Sequence, residues 1–270
     1  MILKIGLVGC GAIGTEIASA IDRKEISAEL IAICDHTLGK AEMLMNTLKK
    51  PPKKLGLSEL VKVSDIVVEA ASQKAVPAVA RAALEGGRDL MIMSVGALLE
   101  PDIFDMIKNL ADKNGCKVYI PSGAISGLDG LKSARLGNIR RVTLTTTKNP
   151  IGFEGAPYVL ERGIDLTKLK EATVLFEGPA VDAVRAFPAN VNVAATLSLT
   201  AGSSEVMVKV IADPNVSVNI HEIAAEGDFG RLTTRVENVP SPKNPKTSYL
   251  AALSAIATLR SIIEPVKIGT

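Results

Sequence analysis

Val8-Gly9-Cys10-Gly11-Ala12-Ile13-Gly14 is the stretch that decides the fold. It follows an apolar, β-branched run from Ile2 to Val8. It precedes a segment in which Ile13, Ile17, Ala20 and Ile21 recur at three- and four-residue spacing. A buried strand, a glycine turn and an amphipathic helix are therefore predicted in that order. Within this G-x-G-x-x-G pattern each glycine has its own task. Gly9 permits the tight turn, Gly11 leaves the backbone open to a pyrophosphate, and Gly14 lets the helix pack close to the strand. The N–H groups at the helix start, around Ala12 and Ile13, would meet the phosphates. Asp35 ends the next apolar run, Leu30 to Cys34, about twenty positions after the last glycine. A carboxylate there accepts hydrogen bonds from the adenosine ribose and repels a 2′-phosphate, which points to NAD over NADP.

Outward from this motif the alternation continues. Lys40 to Leu48 is helical in composition, Ile66 to Val68 is a strand, and Ala75 to Leu84 is a helix stopped by Gly86-Gly87. Leu90 to Met93 is a further strand. Pro101 opens a helix that runs to about Lys113 and closes at Asn114-Gly115, and Lys117 to Ile120 is a fifth strand. Repeated strand–helix units imply a parallel sheet covered on both faces. The lysine- and proline-rich segment Lys49 to Lys54 reads as a solvated loop. Beyond about Arg140 the texture changes: Val142 to Thr147, Val206 to Ile211, Ser217 to Ile223 and Leu232 to Val236 are strand candidates without regular helices between them. Asp182 to Phe187 and Val191 to Leu199 look helical, as does Ser248 to Ile263. The expected fold is a Rossmann-type, doubly wound α/β domain over residues 1–125, onto which a helix at 247–264 packs back. A smaller α+β substrate and dimerisation domain, with a mostly antiparallel sheet, is expected over 126–246.

Composition agrees with a folded two-domain chain. The 270 residues are 47% hydrophobic and 22% charged, close to the globular average. Lys and Arg total 31 against 29 Asp and Glu, a net charge of +2, so no nucleic-acid footprint is expected. No apolar run approaches the ~18 residues of a membrane span, and the N-terminus lacks the basic start of a signal peptide. Cys10, Cys34 and Cys116 form no CxxC pair, which suits a cytoplasmic, reducing location. No Cys/His/Asp spacing fits a metal cage.

There are two histidines. His36 follows Asp35 and reads as an exposed rim residue. His221 lies in Asn219-Ile220-His221-Glu222-Ile223, where period-two alternation places Asn219, His221 and Ile223 on one face. A lone strand histidine is commonly structural, but a dehydrogenase needs a proton acceptor near neutral pH, and an unperturbed imidazole supplies it. The small-residue loop Pro121 to Asp129 follows the fifth strand, where ligands gather in open α/β sheets. Asn190 and Asn192 precede or cap a helix beginning near Val191.

The glycine-rich start, the Pro121–Asp129 loop, the Asn190–Thr196 helix start, the Asn219–Ile223 strand and Asn244-Pro245-Lys246-Thr247-Ser248 occur in the order of the L-aspartate dehydrogenase family, which the chain resembles over essentially its whole length. The resemblance implies oxidation of L-aspartate to iminosuccinate with NAD or NADP. The imine then hydrolyses to oxaloacetate and ammonia or feeds quinolinate and NAD biosynthesis. It places His221 at the family's active-site histidine and Ala124 and Asn190 at its cofactor-contacting positions. It also implies a homodimer. Because the family accepts both cofactors, NADP stays open beside NAD. A substrate with two carboxylates needs cationic or N–H donors, and Lys246 with the N–H groups of Ser122, Gly123 and Ala124 are the candidates. Two other readings compete: an oxidoreductase of the dihydrodipicolinate reductase or homoserine dehydrogenase type, and a non-catalytic dinucleotide sensor.

Overall fold

Leu3–Val8 (β1) leads through the glycine turn into Ala12–Asp22 (α1), whose buried stripe is Ile17, Ala18, Ala20 and Ile21. Ala28–Cys34 (β2), Lys40–Met45 (α2), Lys53–Lys54 (β3), Leu57–Val63 (α3) and Ile66–Glu69 (β4) follow. Then come Val76–Glu85 (α4), Asp89–Ile92 (β5), Pro101–Asn114 (α5) and Val118–Tyr119 (β6). In this computed structural model the described residues are 2–188, 192–202, 205–241 and 244–269, with 244–246 described by their backbone alone. The sheet order is β3-β2-β1-β4-β5-β6, all parallel. The order reverses between β1 and β4, the point at which doubly wound sheets bind nucleotides. Ile5, Leu7, Ile17, Ile33, Ile66, Val68 and Met91 form the core. Each fully buried aliphatic side chain contributes roughly 1.5–3 kcal/mol by removal from water.

The chain divides into two compact units, Met1–Pro121 with Ala252–Lys267, and Ser122–Ala251 with Ile268–Thr270. Most of the C-terminal helix Tyr249–Ile263 therefore belongs to the first unit, where Ala255, Ile256 and Leu259 join the core. The segment read as a solvated loop is corrected at its end. Lys53 and Lys54 pair with Ala32 and Ile33 as the edge strand β3. Two exposed lysines suit an edge, because their charge discourages further strand pairing.

The second unit begins with Leu128–Ala134 (α6) and the long strand Ile139–Lys148 (β7). Pro157–Glu161 (α7), Thr173–Pro179 (β8), Ala180–Ala186 (α8), Asn192–Ala201 (α9) and Val206–Ala212 (β9) follow. Asn219–Gly227 (β10) and Gly230–Asn238 (β11) form a tight hairpin, and Pro240–Ser241 (β12) pairs with Asn244–Ser248 (β13) ahead of the C-terminal helix, α10. The five-stranded sheet runs β11-β10-β7-β9-β8; β7 and β9 are parallel and the other neighbours antiparallel. Register puts Val142, Leu144, Val208, Ile223 and Ala225 on one buried face, and α9 packs on β7 and β9. Phe153, Tyr158, Phe176 and Phe187 cluster with ring centroids 5.4 to 6.1 Å apart.

Candidate active site

The glycine turn has the shape a dinucleotide needs. Gly9 has φ 102°, and a Cβ there would lie 2.4 Å from the Ala70 carbonyl oxygen. A Cβ on Gly14 would stand 2.0 Å from the Gly9 oxygen. Gly11 is the opposite case: a Cβ there meets nothing within 4 Å, so the space beside it is open to a ligand. Gly11 is the N-cap of α1 and supplies no side-chain cap. The first N–H groups of the helix, with Ala12 and Ile13 half-exposed, are left for an anion.

Asp35 sits at the end of β2. Its Oδ2 accepts from the Cys10 N–H at 2.7 Å and its Oδ1 from the Thr37 N–H at 2.7 Å. Burial pushes this carboxyl up, but those two bonds and the charge of Lys40 outweigh it and hold it below the usual range. The same carboxylate proposed to read the ribose therefore also fixes the glycine turn. His36 is 90% exposed in its side chain, with Nδ1 3.8 Å from Asp35 Oδ1.

Glu69, unremarked in the sequence, ends β4 with no exposure. Its Oε1 accepts from the N–H groups of Ala71 (2.8 Å) and Ser72 (3.0 Å) and from Ser94 Oγ (2.9 Å), while Oε2 accepts from the Ser94 N–H (3.0 Å). It ties the turn after β4 to the turn after β5. Ala70 and Ala71, beside it, are the backbone against which Gly9 closes.

In the second unit, the buried sheet face turns from apolar to polar at the C-terminal end of β7. His221 on β10 is 2% exposed, directly opposite Thr146 on β7. Thr146 Oγ1 lies 3.0 Å from His221 Nδ1, so Nε2 is the nitrogen left for a further partner. Two residues on from Thr146 the same face carries Lys148, 3% exposed. Burial, and then the nearby Lys148 charge, push the His221 pKa down to about 3. This corrects the expectation of an unperturbed imidazole: the free protein holds His221 neutral across the whole physiological range. Burial likewise lowers Lys148 to about 8.

The row beside His221 is polar as well. Asn219 pairs with Asn238 of β11, and Asn219 Nδ2 donates to Ser248 Oγ at 3.2 Å. Asn238 Nδ2 donates to the Ala124 carbonyl at 3.0 Å, leaving its buried Oδ1 without a hydrogen-bond partner among the described residues. The Pro121–Asp129 loop is thus fastened at Ala124, and at Ser126 by Thr234 Oγ1 (3.4 Å), to the strand next to that of His221. Ser122 and Gly123 (φ 67°) are partly exposed just before it. Asn190 lies outside the described residues, as does the side chain of Lys246. Lys148 and Asn238 went unread in the sequence, although period-two arithmetic from Val142 and Leu144 places Lys148 on the buried face.

Two family models match consecutive parts of the chain. Residues 9–121 match the homoserine dehydrogenase NAD-binding domain, and residues 129–262 the C-terminal domain of aspartate dehydrogenase. The L-aspartate dehydrogenase of Methanosarcina acetivorans is 56% identical over 270 residues, covering 99% of this chain and 100% of the relative. This chain belongs to the L-aspartate dehydrogenase family. The L-aspartate dehydrogenase of Nitrosopumilus maritimus is 45% identical over 99% of both chains. The crystal structure of aspartate dehydrogenase from Thermotoga maritima superposes with a TM-score of 0.79 at 26% identity, covering 100% of each chain. A homoserine dehydrogenase from Thiobacillus denitrificans, at 15% identity and TM-score 0.60 over 97% of this chain and 74% of its own, shares the fold. The first unit of this family member is accordingly an NAD-binding Rossmann domain. No helix among its described residues is long and apolar enough to cross a membrane.

Proposed function

We propose that the chain oxidises L-aspartate to iminosuccinate with NAD, the imine then hydrolysing to oxaloacetate and ammonia or entering quinolinate and NAD biosynthesis. The observation that carries this reading is the full-length match at 56% identity to an L-aspartate dehydrogenase. Gly9, Gly11, Ala12, Ile13, Gly14 and Asp35 would hold the dinucleotide, with Ala124 and Asn190 as further contacts. When bound, NAD supplies the acceptor for hydride from Cα of the amino acid. His221 receives the proton that leaves the amine as the C=N bond forms, or activates the water that attacks the imine. Thr146 fixes its ring through Nδ1, so Nε2 acts. Its low basicity in the free protein makes it dependent on the substrate, since two carboxylates brought near the ring favour the imidazolium. Ser122, Gly123 and Lys246 are further candidates for the carboxylates. The family resemblance supports a cytoplasmic homodimer and leaves NADP as an alternative cofactor.

The test is NADH formation with a panel of amino acids and hydroxy acids. L-Aspartate should be oxidised and homoserine left untouched. Turnover of homoserine alone would replace this reading with the homoserine-dehydrogenase type, and no turnover with any of them would favour a dinucleotide sensor.

A further inference from the structure

Glu69 is the only acidic residue buried among the described residues, and the chemistry on the second unit makes no use of it. Every group its carboxylate accepts from lies on one of two turns: Ala71 and Ser72 follow β4, and Ser94 follows β5. Main-chain bonds run along the same seam. The Ala70 N–H donates to the Val8 carbonyl at 2.8 Å, and the Met93 N–H to the Glu69 carbonyl at 2.9 Å. The two turns also touch directly, since a Cβ on Gly96 would stand 2.3 Å from Gln73 Nε2. On its other side the turn after β4 is the wall on which Gly9 closes, a Cβ there lying 2.6 Å from the Ala71 nitrogen. Ala71 and Ser72 are themselves exposed. One buried carboxylate thus fixes an exposed rim of the sheet next to the glycine turn. That rim lies at the carboxyl ends of β4 and β5, across the switch point from Asp35 on β2. In a doubly wound sheet the dinucleotide spans the crevice at this point. With the adenosine ribose assigned to the end of β2, the nicotinamide nucleotide falls to the side of β4 and β5.

We propose that Glu69 is a positioning residue for the nicotinamide half of the cofactor: it touches no ligand and sets the backbone of Ala70 to Ser72 and of Ser94, on which that half rests. The inference uses the NAD-binding assignment of the first unit and does not depend on which substrate the second unit takes. Three of the four bonds come from backbone N–H groups, so those groups are engaged by the fold and are not donors for the phosphates. The pyrophosphate is left to the start of α1, and the turns after β4 and β5 serve by their shape. A carboxylate only accepts, whereas an amide in its place has a donor end that must face groups which themselves donate. Replacing the carboxylate should loosen the two turns from each other. The bonds of Asp35 to Cys10 and Thr37 are separate from this seam and should persist.

Glu69→Gln tests this by comparing ligands that contain one or both halves of the cofactor. NADH, followed by fluorescence titration, should bind the variant about tenfold or more weakly, the scale of one lost charge-assisted hydrogen bond. ADP, titrated calorimetrically, should bind as it does to the wild type, because it lacks the nicotinamide half. The emission maximum of bound NADH reports the surroundings of the ring and should move towards that of the free coenzyme. Ser94→Ala removes one donor and keeps the carboxylate. It should weaken NADH in the same direction by a smaller factor, again sparing ADP, and it covers failure of the glutamine variant to fold. A lowered melting temperature with both affinities at their wild-type values would make Glu69 structural alone and overturn the proposal. Equal weakening of NADH and ADP would overturn it too, by placing the effect on the glycine turn. A wild type that binds neither nucleotide would overturn the NAD assignment along with the proposal, so the two failures are told apart.

Discussion

Glu69 and Lys148 are both buried ionisable groups, one in each unit, and the fold treats them differently. Glu69 accepts four hydrogen bonds, three of them from backbone N–H groups of two turns. Burial still leaves its carboxyl above the ordinary range, with those bonds pulling the other way. It joins parts of the protein to one another. Lys148 lies near an imidazole whose protonated form its own charge disfavours, on the sheet face where the buried Asn238 Oδ1 has no hydrogen-bond partner among the described residues. The first arrangement ties two turns together, and the second sets a charge beside the imidazole whose protonation it opposes. A buried charge by itself says little about function; how its neighbours are satisfied says more.

The comparison breaks first at His221. His221→Ala should lower kcat roughly 10²–10⁴-fold, about 3–5.5 kcal/mol of transition-state stabilisation at ~1.36 kcal/mol per decade. The same variant should lose an acid sensitivity. Native His221 stays neutral down to about pH 3, whereas the unfolded imidazole has the model value of 6.5. The unfolded state therefore binds the extra proton between those limits, and stability falls as pH drops from 6.5 towards 3. The full effect is on the order of 5 kcal/mol. Denaturant titrations of both proteins at pH 7 and pH 4 measure most of it, about 3 kcal/mol. A destabilised variant with wild-type kcat would make His221 structural.

Lys148→Met sharpens the contrast on the other side. The native ammonium titrates near 8 against 10.5 when unfolded. Below pH 8 this burial is a constant cost on the order of 3 kcal/mol, and wild-type stability recovers as pH rises from 8 to 10.5. The methionine variant should be more stable at pH 7 and lack that alkaline recovery. Glu69→Gln should move the opposite way. Its amide turns a donor towards N–H groups that need an acceptor, costing about 1–3 kcal/mol, read as a lower melting temperature. If Lys148→Met destabilises as much as Glu69→Gln, the distinction between the two groups fails.

What the sequence made legible follows from how local each signal is. The Rossmann alternation and the glycine turn are written in consecutive residues, so the strands and helices from Leu3 to Tyr119, apart from β3 and α3, could be placed within a few positions of where they lie. Leu57–Val63 was missed because a seven-residue helix with two buried positions, Leu60 and Val61, has too little periodicity to read. Thr173–Pro179 was missed because it is an edge strand with Val174 half-exposed and a proline at its end. His221 stood out through the scarcity of histidine, but its environment did not, because desolvation is made by residues far away in the chain. Lys148 shows the same limit. It closes a threonine-rich strand and looks like the strand's exit to solvent until the parity of Val142 and Leu144 is followed to its end. Asn238 acquires its meaning from Ala124, more than a hundred residues earlier.

The smallest expected effect concerns cofactor choice. Asp35→Ser should lower the NAD/NADP ratio of kcat/KM about tenfold or more, the loss of one charge-assisted hydrogen bond and of the repulsion of a 2′-phosphate. Steady-state kinetics with both cofactors read it. An unchanged ratio would confine Asp35 to holding the Cys10 and Thr37 N–H groups.

Division of labour between the units is the central claim, with the nucleotide on the first and the amine chemistry on the second. NADH fluorescence titration of Gly11→Val beside His221→Ala tests it most directly. A Cβ at Gly11 meets nothing within 4 Å, so the first variant should fold and lose NADH binding, while the second should bind NADH as the wild type does. Wild-type affinity in a folded Gly11→Val protein, or lost affinity in His221→Ala, would contradict the account.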